Sequence, residues 1–182
     1  MNVIGIDPGL SGGLCVLNDK KGIIDILKMP ICSRPNRKGN YIDLEKIFDF
    51  ITDYSRYNEY KDNDTLYGIF IERQFILRSQ GMSSGSKTMY QSGLLYGMCF
   101  AECDNLQEIN AKDWQNEVFK KVDQSKINEY NFSSDTKLQS IAYVEQNFDR
   151  NYLFTSSRQT KPSDGIADAI CIASFGLTTL TK

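Results

Sequence analysis

Four acidic residues stand where the surrounding sequence predicts regular, buried structure. Asp7 ends the apolar run VIGID, and Glu72 ends the apolar run LYGIFIE. Asp164 and Asp168 open the largely apolar segment DGIADAICIASFGLTTL. Because side chains four residues apart share one face of a helix, these last two acids are predicted to point the same way.

Such carboxylates have either a structural or a chemical use. An aspartate beside a turn often binds the turn backbone, as Asp7 could, and Asp164 could cap a helix or complement its dipole. Asp168 fits neither use, because an acid inside an apolar segment needs a partner. If the four acids meet, they would suit a hard cation such as Mg²⁺ or Mn²⁺. Two such ions, about 3.5–4 Å apart, can clamp a phosphate that undergoes in-line displacement.

The composition narrows the chemistry further. The chain has no histidine, which excludes Ser-His-Asp and Cys-His catalysis and every histidine-ligated metal site. Its five cysteines form no CxxC pair and lack partners for zinc, so buried free thiols are predicted. A net charge of −2 provides no global basic field, so nucleic acid would have to bind a local basic face.

Neither a membrane span nor a signal peptide is predicted. No apolar run is long enough to cross a bilayer. The opening residues, MNVIGID, lack a charged region followed by an apolar one. We therefore expect an intracellular, cytoplasmic protein without a membrane partner.

The elements that would position the acids form a mixed α/β domain, predicted to span residues 1–182 with a five-stranded sheet. VIGID, GGLCVLND and IIDILKMP read as an antiparallel meander, LYGIFIE as a central strand and NLQEINA as the fifth strand. Polar loops are expected at 32–40, 78–87 and 149–163. Helices are expected at 44–54 after an Asp43 cap, up to Glu102 after the second loop, and at 112–121, 137–148 and 164–180.

A stripe of small residues marks the helix that ends near Glu102. Gly93, Gly97 and Ala101 recur every four residues, so another backbone could approach this side closely. Two partners are possible: the protein's own sheet, or a second copy of the chain.

Three acidic segments together resemble a known family. GIDPGLSGG, IERQF and DGIADA are similar, in order and spacing, to the three acidic motifs of RuvC-type Holliday-junction resolvases, which belong to the ribonuclease H-like (retroviral integrase) superfamily. The resemblance covers nearly the whole chain. It implies a five-stranded mixed sheet flanked by helices. It also implies a homodimer that cuts two opposing strands of a four-way DNA junction.

The resemblance also implies a site. Two Mg²⁺ ions, replaceable by Mn²⁺, would be held by Asp7, Glu72, Asp164 and Asp168, which would be the catalytic residues. Several family members have the last two acids three residues apart, whereas they are four apart here. The role of Asp164, as metal ligand or helix cap, therefore stays open.

DNA-binding residues are predicted around these motifs. Phe75 matches an aromatic residue of the family that contacts bases near the cut, and a core or loop-anchoring phenylalanine is the equal alternative. Basic residues near the acids are the better candidates for phosphate contacts, since the backbone of the DNA must pass there. The basic candidates are Arg34, Arg37, Lys38, Arg73, Arg78, Lys87, Lys112, Arg158 and Lys161.

Other functions remain open on these residues. Another ribonuclease H-like nuclease, acting on flaps, forks or RNA–DNA hybrids, would use the same acids. An actin-like ATPase also begins with a strand, an acid and a glycine-rich turn, but it needs a second similar domain for which these 182 residues leave no room. A noncatalytic binding relative would have no need to keep all four acids.

Overall fold

The computed structural model describes residues 1–33, 39–54, 66–75, 81–123, 125 and 135–182. Five strands form its main sheet: β1 (Asn2–Asp7), β2 (Gly13–Asn18), β3 (Gly22–Lys28), β6 (Leu66–Glu72) and β7 (Leu106–Ile109). Two short strands, β4 (Ile31–Ser33) and β5 (Asn40–Ile42), pair separately as a hairpin.

The main sheet has the order β3-β2-β1-β6-β7 and confirms the predicted five strands. The first three strands form the expected antiparallel meander. β6 pairs parallel with β1, and β7 pairs parallel with β6. The carboxyl ends of β1, β6 and β7 therefore lie at one edge of the sheet, the edge where ligands bind in open α/β sheets.

Helices cover both faces of this sheet. They are α1 (Leu44–Thr52), α2 (Met82–Glu102), α3 (Ala111–Val118), α4 (Thr136–Asn147) and α5 (Asp164–Leu180), with 3₁₀ turns at Phe119–Lys121 and Arg150–Leu153. One core unites α5 with α3, α4 and the sheet residues Val3 and Phe70. The other core unites α1 and α2 with Ile4, Ile6 and Ile69. Alternate residues of each strand thus enter opposite cores, as the pleat requires.

The helix α5 crosses the sheet in direct backbone contact with β1. A Cβ atom on Gly5 would lie 2.3 Å from the backbone nitrogen of Ala173 and 2.4 Å from the carbonyl oxygen of Ala169. Only glycine fits such an approach, because any side chain would overlap the helix backbone. This contact explains why 164–180 is apolar on most sides, and it brings the acids at the start of α5 to the sheet.

Three predicted loops differ from the structure. The loop predicted at 32–40 includes parts of β4 and β5, which are too short to show a periodic pattern; the Ile42 amide donates to Gln91 at 2.6 Å. The loop predicted at 78–87 gives way to α2 at Met82, because Gly81 adopts the extended conformation of an N-cap. The loop predicted at 149–163 is only partly exposed, since Leu153 is fully buried.

The small-residue stripe of α2 does not pack on the protein's own sheet. Of the two partners that the sequence allowed for this stripe, the sheet was therefore wrong. A Cβ atom added to Gly93 or Gly97 would meet no atom within 4 Å among the described residues. The buried side of α2 is the one that carries Gln91, Leu95 and Cys99. None of the helices in the described ranges combines the length and apolar character that a membrane span needs.

Candidate active site

Asp7 and Glu72 lie side by side at the carboxyl edge of the sheet. Asp7 is the last residue of β1, and Glu72 is the last residue of its parallel neighbour β6. Their side chains share the α5 face, by alternation from Gly5, which contacts α5, and from Phe70, which lies in the α5 core. Asp7 also keeps its predicted turn contact, because Oδ1 accepts a hydrogen bond from the Gly9 amide at 3.0 Å.

Asp164 and Asp168 reach the same edge from α5. A Cβ atom on Gly165 would lie 2.2 Å from the carbonyl oxygen of Ser11, so the start of α5 rests directly on the turn that follows β1. The N-cap of α5 is Ser163, whose hydroxyl accepts from the Ile166 amide at 3.4 Å. Asp164 is therefore not the N-cap, but it is an acid in the first turn of α5, and its Oδ1 accepts a hydrogen bond from the Gly165 amide at 3.1 Å. Its expected role as an acid that complements the helix dipole is compatible with this position.

The four carboxylates act on one another electrostatically. The pKa of Asp168 is raised to about 7. Burial is the main cause, the hydrogen bond with Ser140 opposes it, and the negative charges of Asp7, Glu72 and Asp164 add to the rise. Burial also raises the pKa of Asp7; the Gly9 amide opposes this shift, and Asp164 adds to it. Uncompensated, such a cluster holds protons that free carboxyl groups would have lost.

A lysine that the sequence did not single out lies at this cluster. The ammonium group of Lys137, in the first turn of α4, contacts Oδ2 of Asp164. Burial raises the pKa of Asp164, but the hydrogen bond and charge of Lys137 outweigh burial, so the pKa is lowered overall. Lys137 lies close to the acids because α4 packs beside α5. We call the carboxyl edge of the sheet with its four acids, Asp7, Glu72, Asp164 and Asp168, the acidic edge.

The donor set suits a hard cation, although its side chains are not gathered around one. In the described part of the chain, no three acidic or cysteine side chains converge closely enough to hold a metal ion as they stand. The oxygen-only donors and their mutual repulsion nevertheless match the chemistry that Mg²⁺ or Mn²⁺ takes. The ammonium group of Lys137 already contacts Asp164, so a positive charge is accommodated beside these carboxylates.

A buried tryptophan holds the fourth carboxylate. The indole Nε1 of Trp114, in α3, donates to Oε2 of Glu72 at 2.8 Å. Burial raises the pKa of Glu72 and the charge of Asp7 raises it further, whereas the indole hydrogen bond opposes both.

Among the predicted DNA-binding residues, Phe75 is 56% exposed, so it is not a core residue. The guanidinium group of Arg73 lies 5.4 Å from the centroid of the Phe75 ring. It also lies 3.6 Å from the carboxylate of Glu108. Arg73 and Phe75 thus place a basic and an aromatic side chain next to each other, immediately after Glu72 in the chain.

The other basic candidates divide by position. Lys112 is exposed at the start of α3, and Arg158 and Lys161 are exposed in the segment that leads into α5, so these three flank the acidic edge. Lys87 does not, because it lies on α2, across the sheet from α5, with its ammonium 4.1 Å from the ring centroid of Tyr41. The remaining four lie outside the described residues: Arg34, Arg37, Lys38 and Arg78.

Sequence reasoning missed Lys137 and Trp114 for different reasons. No spacing links Lys137 to an acid, since it lies 27 residues before Asp164 and meets it only through helix packing. Trp114 did carry a signal, because a buried indole N–H usually needs an acceptor. Nothing in the sequence identified that acceptor as Glu72.

All five cysteines lie in the described residues, and none of them forms a disulfide, as predicted. Cys15, Cys99, Cys103 and Cys171 are buried, and Cys32 is half-buried. The four buried cysteines contribute to the two cores.

Comparison with known proteins connects the chain to others through its fold. No protein-family model matches the sequence, and no curated protein sequence matches it. Among solved structures, the chain is similar to "T. thermophilus RuvC in complex with Holliday junction substrate", with 15% identity and a TM-score of 0.51 over 98% of this chain and 96% of the other. "Thermus thermophilus RuvC structure" gives 16% identity and a TM-score of 0.50 over 100% and 98%. The chain therefore has the α/β fold of these RuvC structures, a mixed five-stranded sheet of the ribonuclease H-like type flanked by helices.

Proposed function

We propose that this protein is a metal-dependent endonuclease that resolves four-way DNA junctions by cutting two opposing strands. The observation that carries the proposal is the set of four electrostatically coupled carboxylates at the carboxyl edge of the sheet. The fold supports it, since one of the similar structures is a RuvC bound to a Holliday junction. The expected products carry 5′-phosphate and 3′-hydroxyl ends.

In this proposal Asp7, Glu72, Asp164 and Asp168 hold two Mg²⁺ ions, which Mn²⁺ can replace. When bound, these ions supply an activated water and stabilise the departing 3′ oxygen. Lys137 offers positive charge to the phosphate beside Asp164. Around this centre, Arg73, Lys112, Arg158 and Lys161 contact the DNA backbone.

The proposal is tested by incubating the protein with a synthetic four-way junction, a flap, a fork and plain duplex, each with Mg²⁺ and with EDTA. We expect symmetric cuts in the junction only when Mg²⁺ is present. Equal cutting of flaps or forks favours the alternative, a ribonuclease H-like nuclease for other branched DNA or for hybrids. Nucleotide hydrolysis without DNA cleavage would instead favour the actin-like ATPase.

We further propose that the protein acts as a homodimer, because two coordinated cuts need two sites related by a two-fold axis. The support is the outer face of α2, where open space at Gly93 and Gly97 adjoins exposed apolar side chains. These are Met89, Tyr90, Leu94, Tyr96 and Phe100, the last 66% exposed. An apolar outer face is unusual for a surface helix and is typical of a covered interface.

The dimer is tested by light scattering on the wild type and on Gly97→Glu, with Glu45→Gln on α1 as a control. We expect twice the chain mass for the wild type and the control, and a monomer for Gly97→Glu. A wild-type monomer, both free and bound to junction, would refute the dimer.

We also propose an intracellular location, and the support is that the cysteines form no disulfide. Five cysteines of which none forms a disulfide suit a reducing compartment. The test is thiol titration of the freshly isolated protein, in which five reactive groups after unfolding are expected. Fewer than five would indicate disulfide formation in the source.

A further inference from the structure

Trp114 is the feature of this site for which the proposed reaction gives no account. It is the only tryptophan in the chain and only 1% exposed. Its indole nitrogen nevertheless points out of the core to Glu72, at 2.8 Å from Oε2. An indole N–H can only donate, so this contact is the polar function of the side chain.

The ring has little freedom to turn away from Glu72. Trp114 is fully buried among residues of α5, α3 and the sheet. The ring of Phe119 meets it edge-on, with centroids 5.6 Å apart and an interplanar angle of 79°. Because β7 pairs with β6, the chain that leads into α3 leaves the sheet beside Glu72. Donor and acceptor are therefore each fixed by regular structure.

Glu72 needs such a restraint more than the aspartates do. Its side chain has one more rotatable bond, and the negative charge of Asp7 acts on it. The Trp114 hydrogen bond engages one carboxylate oxygen and leaves the other available. Partners of this kind, which orient a ligand without touching the metal, typically affect metal affinity or activity by about 10–100-fold.

We propose that Trp114 is a positioning residue, whose indole N–H fixes the carboxylate of Glu72 for cation binding. This inference rests on the proposed metal-dependent function for its purpose. The contact itself can be measured without metal, DNA or activity. A single tryptophan gives a single indole resonance, which makes the measurement unambiguous.

The first measurement is the ¹H–¹⁵N spectrum of the indole group in metal-free protein. We expect a downfield Nε1 proton in the wild type, which moves upfield in Glu72→Ala. The matched control is Glu108→Gln, which alters a neighbouring carboxylate on β7 that pairs with Arg73 and leaves the indole resonance in place. An indole resonance that is unchanged in Glu72→Ala overturns the inference.

The second measurement is Mg²⁺ binding by calorimetry to the wild type, Trp114→Phe and Phe119→Leu. Trp114→Phe keeps a ring but loses the donor, and we expect its Mg²⁺ affinity to fall about 10-fold. Phe119→Leu disturbs the same packing and keeps the donor, so its affinity should stay within about twofold of the wild type. Equal affinities of Trp114→Phe and wild type overturn the inference, and so does an equal loss in both variants.

The wild type supplies a third measurement that survives a failure of Trp114→Phe to fold. Saturation with Mg²⁺ should shift the indole resonance, because the acceptor carboxylate then shares its charge with the cation. Mg²⁺ binding without any shift overturns the inference. A wild type that binds no Mg²⁺ counts against the proposed function, and the Glu72→Ala spectrum still decides whether Trp114 holds the carboxylate.

Discussion

Replacement of Asp168 by asparagine should stabilise the metal-free protein, and the gain should depend on pH. The pKa of Asp168 is raised from 3.8 to about 7 in the folded state. Folding therefore disfavours the ionised form. The penalty is small below the unfolded pKa, grows as pH rises from about 4 to 7, and is complete above 7.

The magnitude follows from the size of the shift. A shift of roughly 3 pH units at about 1.4 kcal/mol each gives a penalty of at most about 4 kcal/mol at pH 8. At pH 4.5 the same relation leaves about 1 kcal/mol. Asparagine has nearly the same shape and can still accept from Ser140, but it carries no charge, so the variant avoids the penalty.

The assay is thermal melting in EDTA at pH 8 and pH 4.5. For a chain of this size about 1 kcal/mol corresponds to roughly 2–4 °C, so Asp168→Asn should melt up to about 8–16 °C higher at pH 8 and only a few degrees higher at pH 4.5. The control is Asp49→Asn, which removes one exposed charge from α1. Equal gains at both pH values, or no gain at pH 8, would refute the idea that charge repulsion destabilises the cluster. Mg²⁺ should raise the melting temperature of the wild type and have less effect on the variant.

Three further predictions concern activity. Asp7→Asn and Glu72→Gln should lose cleavage but bind the junction with wild-type affinity, as measured by gel shift, because other residues contact the phosphates; a folded variant that loses both would contradict this division. Phe75→Ala should slow cutting of intact junctions more than of nicked ones, since stacking on a base is worth about 1–3 kcal/mol, and equal rate losses on both substrates would argue against stacking. Asp168→Asn should abolish cleavage at every metal concentration, whereas Asp164→Asn should regain part of its rate as Mg²⁺ or Mn²⁺ is raised; wild-type rates for Asp164→Asn at every concentration would exclude it as a ligand. Asp164→Asn should also leave the melting temperature almost unchanged, because Ser163 provides the cap and an exposed ion pair contributes only about 0–1 kcal/mol.

The sheet and the acids were predictable because their signals are local and strong. Apolar runs that end in an acid predicted β1 and β6, and four-residue spacing predicted a shared face for Asp164 and Asp168. The first turn of α2 was missed because serine and glycine favour loops, and packing of the remaining helix overrides that preference.

The contacts that complete the site were not predictable for a different reason. Lys137 and Trp114 meet their acidic partners across 27 and 42 residues of chain. Such contacts depend on how α3, α4 and α5 pack, which no periodicity in the sequence encodes. The sequence also did not decide which residue is the N-cap of α5, since Ser163 and Asp164 are both good N-cap residues.

The backbone contact of Gly5 with α5 has a consequence for biosynthesis. At about 5–20 residues per second, Asp7 leaves the ribosome roughly 10–30 s before Asp168 follows it. Its parallel neighbour β6 is made partway through that interval, but β1, which becomes a central strand, has no α5 to cover it until the end. Contacts so distant in sequence form slowly. A nascent chain thus carries Asp7 and Glu72 without Asp164 and Asp168 for much of its synthesis, and any nuclease activity must arise late and all at once.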